Sequence, residues 1–147
     1  MSTPATASIS KRFAASAERV FDAWLDPQWL GRWMFGPTVR DEKIVRLTND
    51  PRVGGQFLFV VDRAGTTVDH VGEYLVLERP HRLVFTWAMR DMLPTTSKVT
   101  VQIEPLGDAA CQLTLHHEMA PDWAAFADRA AASWQKMADA LERALSS

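Results

Sequence analysis

Residues 111–145 read CQLTLHHEMAPDWAAFADRAAASWQKMADALERAL, and the change of period inside this stretch decides the fold. Cys111, Leu113, Leu115 and His117 alternate with polar neighbours, the period of a strand with one buried face. Beyond Pro121 the apolar positions Trp123, Phe126, Ala127, Ala130, Trp134, Met137, Ala138, Leu141 and Leu145 recur at helical spacing. That pattern predicts one helix of roughly six turns, opened by Pro121 and an Asp122 cap. A long amphipathic helix at the end of a run of strands needs a sheet broad enough to receive it.

Residues 39–118 supply that sheet. Turn residues at 49–55, 62–65, 78–80, 90–94 and 105–108 divide the region into about six antiparallel strands in a meander. Leu83, Phe85, Trp87 and Met89 make one inward face, and Val99, Val101 and Ile103 make the next. Residues 8–13 alternate as a further edge strand, preceded by a loose tail at 1–7. Ser16 stands as an N-cap with Glu18 in the first turn, and Val20, Phe21, Trp24 and Leu25 form a helical stripe. Asp26 and Pro27 open a second short helix carrying Trp29, Leu30 and Trp33, which Gly36 and Pro37 stop. The order is that of an α+β fold: a curved antiparallel sheet of about seven strands, two short helices and a long C-terminal helix, in one domain spanning 1–147.

Composition narrows the function. The 147 residues are 47% hydrophobic, enough to form a core without cross-links, and a net charge of −2 without clusters of either sign argues against nucleic acid. The single cysteine, Cys111, rules out an internal disulfide and a multi-cysteine metal site. No apolar run approaches the ~20 residues of a membrane span, and no secretory leader is recognisable, so a cytoplasmic protein is expected. Six tryptophans beside seven phenylalanines either fill a core or line a pocket. The helix raises the same alternative, because Ala124, Ala125, Ala127, Ala130, Ala131 and Ala132 make its first half small, which suits either close packing or a void.

Several stretches resemble the SRPBCC superfamily, with its helix-grip (START-like or Bet v-like) fold, and within it the bacterial single-domain relatives of the activator of heat-shock protein 90 ATPase. They are Ser16-Ala17-Glu18-Arg19-Val20-Phe21-Asp22-Ala23-Trp24, Asp26-Pro27 through Trp29-Leu30 to Trp33, and the Asp50-x-Arg52-x-Gly54-Gly55 turn. Gly72-x-Tyr74, the strand Arg82-Leu83-Val84-Phe85-Thr86-Trp87 and Ser133-Trp134 complete the set. Met34 and Phe35 depart from the family's usual tryptophan and glycine, and Ser133 from its usual glycine; all three add bulk near the expected cavity mouth. Gly54 and Gly55 open a strand after a tight turn, where positive φ or a close approach of another chain is expected.

The resemblance implies a small apolar or aromatic ligand held between sheet and helix, no cofactor, and a chaperone-linked stress role ranked behind it. The eukaryotic activators carry an extra N-terminal domain for which this chain has no evident room. The expected lining is Phe57, Phe59, Tyr74, Phe85, Trp87, Met89, Leu115, His117, Phe126, Ala130 and Trp134, with Trp33, Met34 and Phe35 near one end. Parity turns His70 and His117 inward, and with Tyr74 they are candidate acid–base groups for a cyclase-like or dehydratase-like enzyme; the alternative for each histidine is a hydrogen-bonded structural role. His116 and His117 point to opposite faces and cannot share a metal, so no metal site is expected. Cys111, mid-strand with no basic neighbour, reads as inert. Arg90, Asp91 and Met92 read either as a gate or as a solvated loop. A homodimer is left open.

Overall fold

The structure, a computed structural model, describes residues 5–146. In chain order the elements are β1 (Ala5–Phe13), α1 (Ala17–Ala23), α2 (Pro27–Trp33), β2 (Lys43–Asn49), β3 (Gln56–Arg63), β4 (Thr66–Glu78), β5 (Arg82–Met89), β6 (Ser97–Pro105), β7 (Cys111–Met119) and α3 (Ala127–Ser146), with 3-10 turns at Arg90–Met92 and Pro121–Phe126. The strands form one antiparallel sheet in the order β1-β7-β6-β5-β4-β3-β2. Consecutive strands pair from β2 to β7 and β1 closes the far edge, so the period-two region is a meander as its turns predict.

Both short helices start where their caps place them. The Ser16 hydroxyl accepts the Arg19 N–H at 3.2 Å, and the Asp26 carboxylate accepts the Gln28 N–H at 2.9 Å. Trp33 Nε1 donates to the Ala23 carbonyl at 3.0 Å, which ties α2 to the end of α1. The core lies between the concave face of the sheet, the α1–α2 pair and the second half of α3, where Trp134, Met137, Ala138 and Leu141 are buried. Gly54 takes positive φ (85°), as expected for this turn, while a Cβ on Gly55 would strike the carbonyls of Asp50 and Arg52, so the crowding comes from the turn itself and not from another stretch of chain. Arg52 pairs with Asp50 across the same turn at 2.6 Å.

Two boundaries differ from expectation. Residues 5–7, expected as tail, are strand: Ala5, Thr6 and Ala7 pair with Met119, Glu118 and His117, while residues 1–4 lie outside the described chain. The final helix does not begin at Asp122. Residues 121–126 wind as a 3-10 segment whose N-cap position, Ala120, offers no capping side chain, and α3 starts at Ala127. Three of the six small residues are packed, while Ala124, Ala125 and Ala132 are exposed. Ala127, Ala130 and Ala131, with Trp123, lie on Ala5, Ala7 and Met119, so small residues on both elements let helix and edge strand approach. Lys11 fixes the same contact further along, reaching Asp139 at 3.0 Å and Glu142 at 3.5 Å. Two side chains of α1 reach other elements: Arg19 donates to the Leu145 carbonyl, and Asp22 accepts from Arg79 through two bonds of 2.8 and 2.9 Å.

Candidate functional site: the aromatic interior

Strand register brings the aromatic side chains together. Tyr74 lies opposite Phe85, Phe57 opposite Gly72, and Phe59 opposite His70, and directly opposed residues share a face. Gly72 is required for this: a Cβ there would collide with the Phe57 ring and the Thr86 carbonyl. From the helical side come Trp24 at the end of α1, Trp33 on α2, Met34 and Phe35 just beyond it, and Trp134 on α3.

The rings form one connected network. Trp24 meets Trp33 edge-on at 4.6 Å and stacks on Trp134 at 5.9 Å; Trp134 meets Trp87 at 5.8 Å; Trp87 meets Phe57 at 5.8 Å and His70 at 5.3 Å. Phe35 sits 4.9 Å from His70 and 5.5 Å from Phe59. Trp87 and Trp134 therefore touch, and the interior is filled. What remains is a cavity of about 10 Å³ walled by Trp24, Met34, Phe57, Phe59, Tyr74, Phe85 and Trp87, room for about one water. A larger concavity, about 350 Å³, lies elsewhere: an open groove on the outer sheet face lined by Glu78, His81, Arg82, Gln102, Ile103, Glu104, Gln112 and Thr114.

Polar atoms inside the network are few and nearly all paired. Trp134 Nε1 donates to His117 Nδ1 at 3.1 Å, leaving His117 Nε2 as the donor to Ser97 Oγ at 2.7 Å, and Ser97 Oγ donates to the Trp87 carbonyl at 2.9 Å. This directional chain requires a neutral imidazole, and burial lowers the His117 pKa to about 4. His70 donates from Nδ1 to the Phe59 carbonyl at 3.1 Å, and burial again lowers its pKa to about 4. Burial raises Tyr74 to about 12, and its oxygen accepts the Asn49 amide at 3.2 Å. Among the described residues only Trp24 Nε1 is buried with no partner.

These histidines make stability depend on acid. Their folded pKa values lie below the unfolded 6.5, so the unfolded chain binds more protons; stability is full above about pH 6.5 and is lost as pH falls towards 4. His117→Phe is expected to remove one proton's worth of that slope, about 1.4 kcal/mol per pH unit, while lowering stability at pH 7 by about 1–3 kcal/mol through the stranded Trp134 and Ser97 groups. Urea unfolding at pH 7, 6 and 5 checks it; an unchanged slope would exclude His117 as the titrating group.

The connection from α2 to β2, which carries Met34 and Phe35, is held by a buried carboxylate. Glu42 accepts the Gly36 N–H at 2.8 Å, Arg40 Nη1 at 3.1 Å and Arg63 Nε at 2.6 Å. Burial pushes its pKa up, but the Gly36 and Arg63 bonds and the two arginine charges outweigh that and hold it below the usual value.

Of the expected lining, Met34, Phe57, Phe59, Tyr74, Phe85 and Trp87 meet at the cavity. Phe35, His117 and Trp134 stand in the surrounding network, Trp33 lies behind Trp24, and Leu115 is buried in the core without reaching the cavity wall. Met89 and Phe126 are not enclosed as expected: each is 42% exposed. Met89 has the right parity but ends β5 at the rim, where nothing covers it, and Phe126 falls in the 3-10 segment beside Trp123 and Arg129. Ala130 serves the small-residue contact with β1 instead. His70, Tyr74 and His117 share the interior, but no hydrogen bond joins any two of them. Arg90, Asp91 and Met92 form an exposed 3-10 turn. Cys111 is buried and its thiol pKa is raised by burial. No group of three metal-ligating side chains occurs among the described residues, and no described helix is long and apolar enough to cross a membrane.

Sequence reading missed Trp24 as a wall residue, because a helical stripe signals burial without saying which wall is met. Ser97 and Glu42 carried no signal, since each sits among polar neighbours; Ser97 finds its partners across strands, and Glu42 finds Gly36 and Arg40 within its own connection and Arg63 on β3.

The family described as Activator of Hsp90 ATPase homolog 1-like protein matches residues 14–146. The chain belongs to this family. The chain is also similar to solved structures. CV1439 from Chromobacterium violaceum is 27% identical, with 95% of each chain covered and a TM-score of 0.82. PFC0360w, an Hsp90 activator from Plasmodium falciparum, is 26% identical over 79% of this chain and 74% of that one, with a TM-score of 0.62. CalU16 from Micromonospora echinospora, 22% identical over 96% and 83% with a TM-score of 0.66, shares the fold. Among curated proteins none matches the sequence significantly.

Proposed function

We propose that this family member binds a small, flat, apolar ligand in the aromatic interior between the sheet, the α1–α2 pair and α3. The observation that carries the reading is the convergence of seven side chains, six of them aromatic, from α1, the α2–β2 connection and three neighbouring strands on one residual cavity. Stacked and edge-on rings offer further aromatic faces to another ring, and Met34 re-packs at low cost. With so little standing volume, the ligand enters by displacing a side chain. Trp87 is the one with a way out: it is half-buried at the rim and held by ring contacts, whereas Trp134 is fastened to His117.

Titration with the neutral probe N-phenyl-1-naphthylamine, followed by quenching of tryptophan fluorescence, is expected to give a saturable one-to-one isotherm. Trp87→Ala, which empties the displaced volume, is expected to tighten binding several-fold. Failure of both proteins to saturate overturns the reading.

A second reading, contact with an Hsp90-type chaperone, is supported by the likeness to the Plasmodium activator and by an interior that is full as it stands. A several-fold rise in the chaperone's ATPase rate on adding this protein, with no probe binding, would select it.

A further inference from the structure

The cavity wall contains a donor that the protein does not satisfy. Trp33 Nε1 and Trp134 Nε1 each donate to a protein acceptor, but Trp24 Nε1, on a residue only 5% exposed, donates to none among the described residues. A buried N–H without a partner is costly, so its retention in the wall of a cavity calls for an acceptor from outside the chain. The second polar group of that wall is the Tyr74 hydroxyl, whose oxygen already accepts from Asn49 and whose proton meets no described acceptor. Both unfilled positions are donors.

The surroundings also specify charge. No charged side chain lines the cavity, and the two nearby histidines are held neutral by burial and by their bonds. Arg40 and Arg63, the cations whose charges act on His70, are both engaged by Glu42. A carboxylate or phosphate would be buried without a counter-charge, and a cation would meet N–H where it needs an acceptor.

We propose that the interior selects uncharged aromatic ligands bearing a carbonyl-type oxygen, and that Trp24 Nε1–H donates to that oxygen. This rests on the ligand-binding reading above and names the ligand class it takes. Trp24 is a specificity residue here: its neighbours supply apolar contact to any flat molecule, and it discriminates among them.

The test uses three probes of matched shape: 2-acetylnaphthalene, its hydrocarbon isostere 2-isopropenylnaphthalene, and 2-naphthoate. In ¹⁵N-labelled wild-type protein the ketone is expected to move the Trp24 indole N–H resonance downfield, and the alkene to leave it nearly in place. The ratio of ketone to alkene affinity is expected to fall about tenfold in Trp24→Phe, and naphthoate to bind at least about tenfold more weakly than the ketone. The wild-type spectra stand even if Trp24→Phe does not fold. Saturable binding of the alkene and the ketone with no response of the Trp24 indole, or naphthoate binding as tightly as the ketone, overturns the inference and leaves the binding reading intact. If none of the three binds, both fall together.

Discussion

Trp33→Ala is expected to lower the stability of the domain by about 3–5 kcal/mol, the range for deleting a fully buried indole. Trp33 has no exposed surface, packs edge-on against Trp24 at 4.6 Å, and anchors α2 to α1 through its bond to the Ala23 carbonyl. Alanine removes the ring, strands that carbonyl and leaves a hole beneath Trp24 that two short helices cannot close. Trp33→Phe keeps most of the volume and loses the bond, so about a third to a half of the effect is expected. Urea denaturation of the three proteins measures the series. A loss below about 1 kcal/mol for alanine would mean that the α1–α2 pair is not part of the cooperative core.

The second large effect is expected at Glu42. Its carboxylate is fully buried and accepts from the Gly36 amide, Arg40 and Arg63, so Glu42→Ala leaves the Gly36 amide and the partly buried Arg63 Nε without an acceptor and Arg40 with the Met34 carbonyl alone. Removing one member of such a cluster costs about 2–4 kcal/mol, the lower end applying because both arginines reach water. Glu42→Gln retains one acceptor and should lose about half as much. Because the folded carboxylate titrates below its ordinary value, its contribution is present above about pH 4.5 and disappears as pH falls through the lowered value. The glutamine variant is expected to lose that part of the acid dependence; denaturant midpoints between pH 7 and 3 separate it from the histidine contribution, which is spent between 6.5 and 4. An alanine variant as stable as wild type would show that the α2–β2 connection is held by backbone and apolar contacts alone.

Much of the wall was legible because a strand has only two faces. Once Leu83 is inward, Phe85 and Trp87 must follow, and Phe57, Phe59 and Tyr74 fall to the same parity argument. The argument weakens where an element ends. Met89 keeps the inward parity of Trp87 yet is exposed at the end of β5, and Phe126 keeps the helical spacing of Trp134 yet lies in a 3-10 turn whose winding moves it off the stripe. Periodicity says which face a residue takes, not whether anything covers that face. Ser97 illustrates the other loss: a hydroxyl at the start of a strand becomes the acceptor for His117 only because β6 and β7 pair with Val99 opposite His117.

Local chemistry was enough for the kinds of elements, their order, their caps and their inward faces, because periods of two and 3.6, capping side chains and turn residues act over a few neighbouring positions. Whether six tryptophans fill the interior or enclose a hollow was beyond its reach. That depends on the curvature of the sheet and the height of α3 above it, and thus on the separation of Trp87 and Trp134, which no local pattern encodes. In the folded chain the two rings meet, the enclosed volume falls to about one water, and among the described residues one buried indole N–H, that of Trp24, is left without a partner.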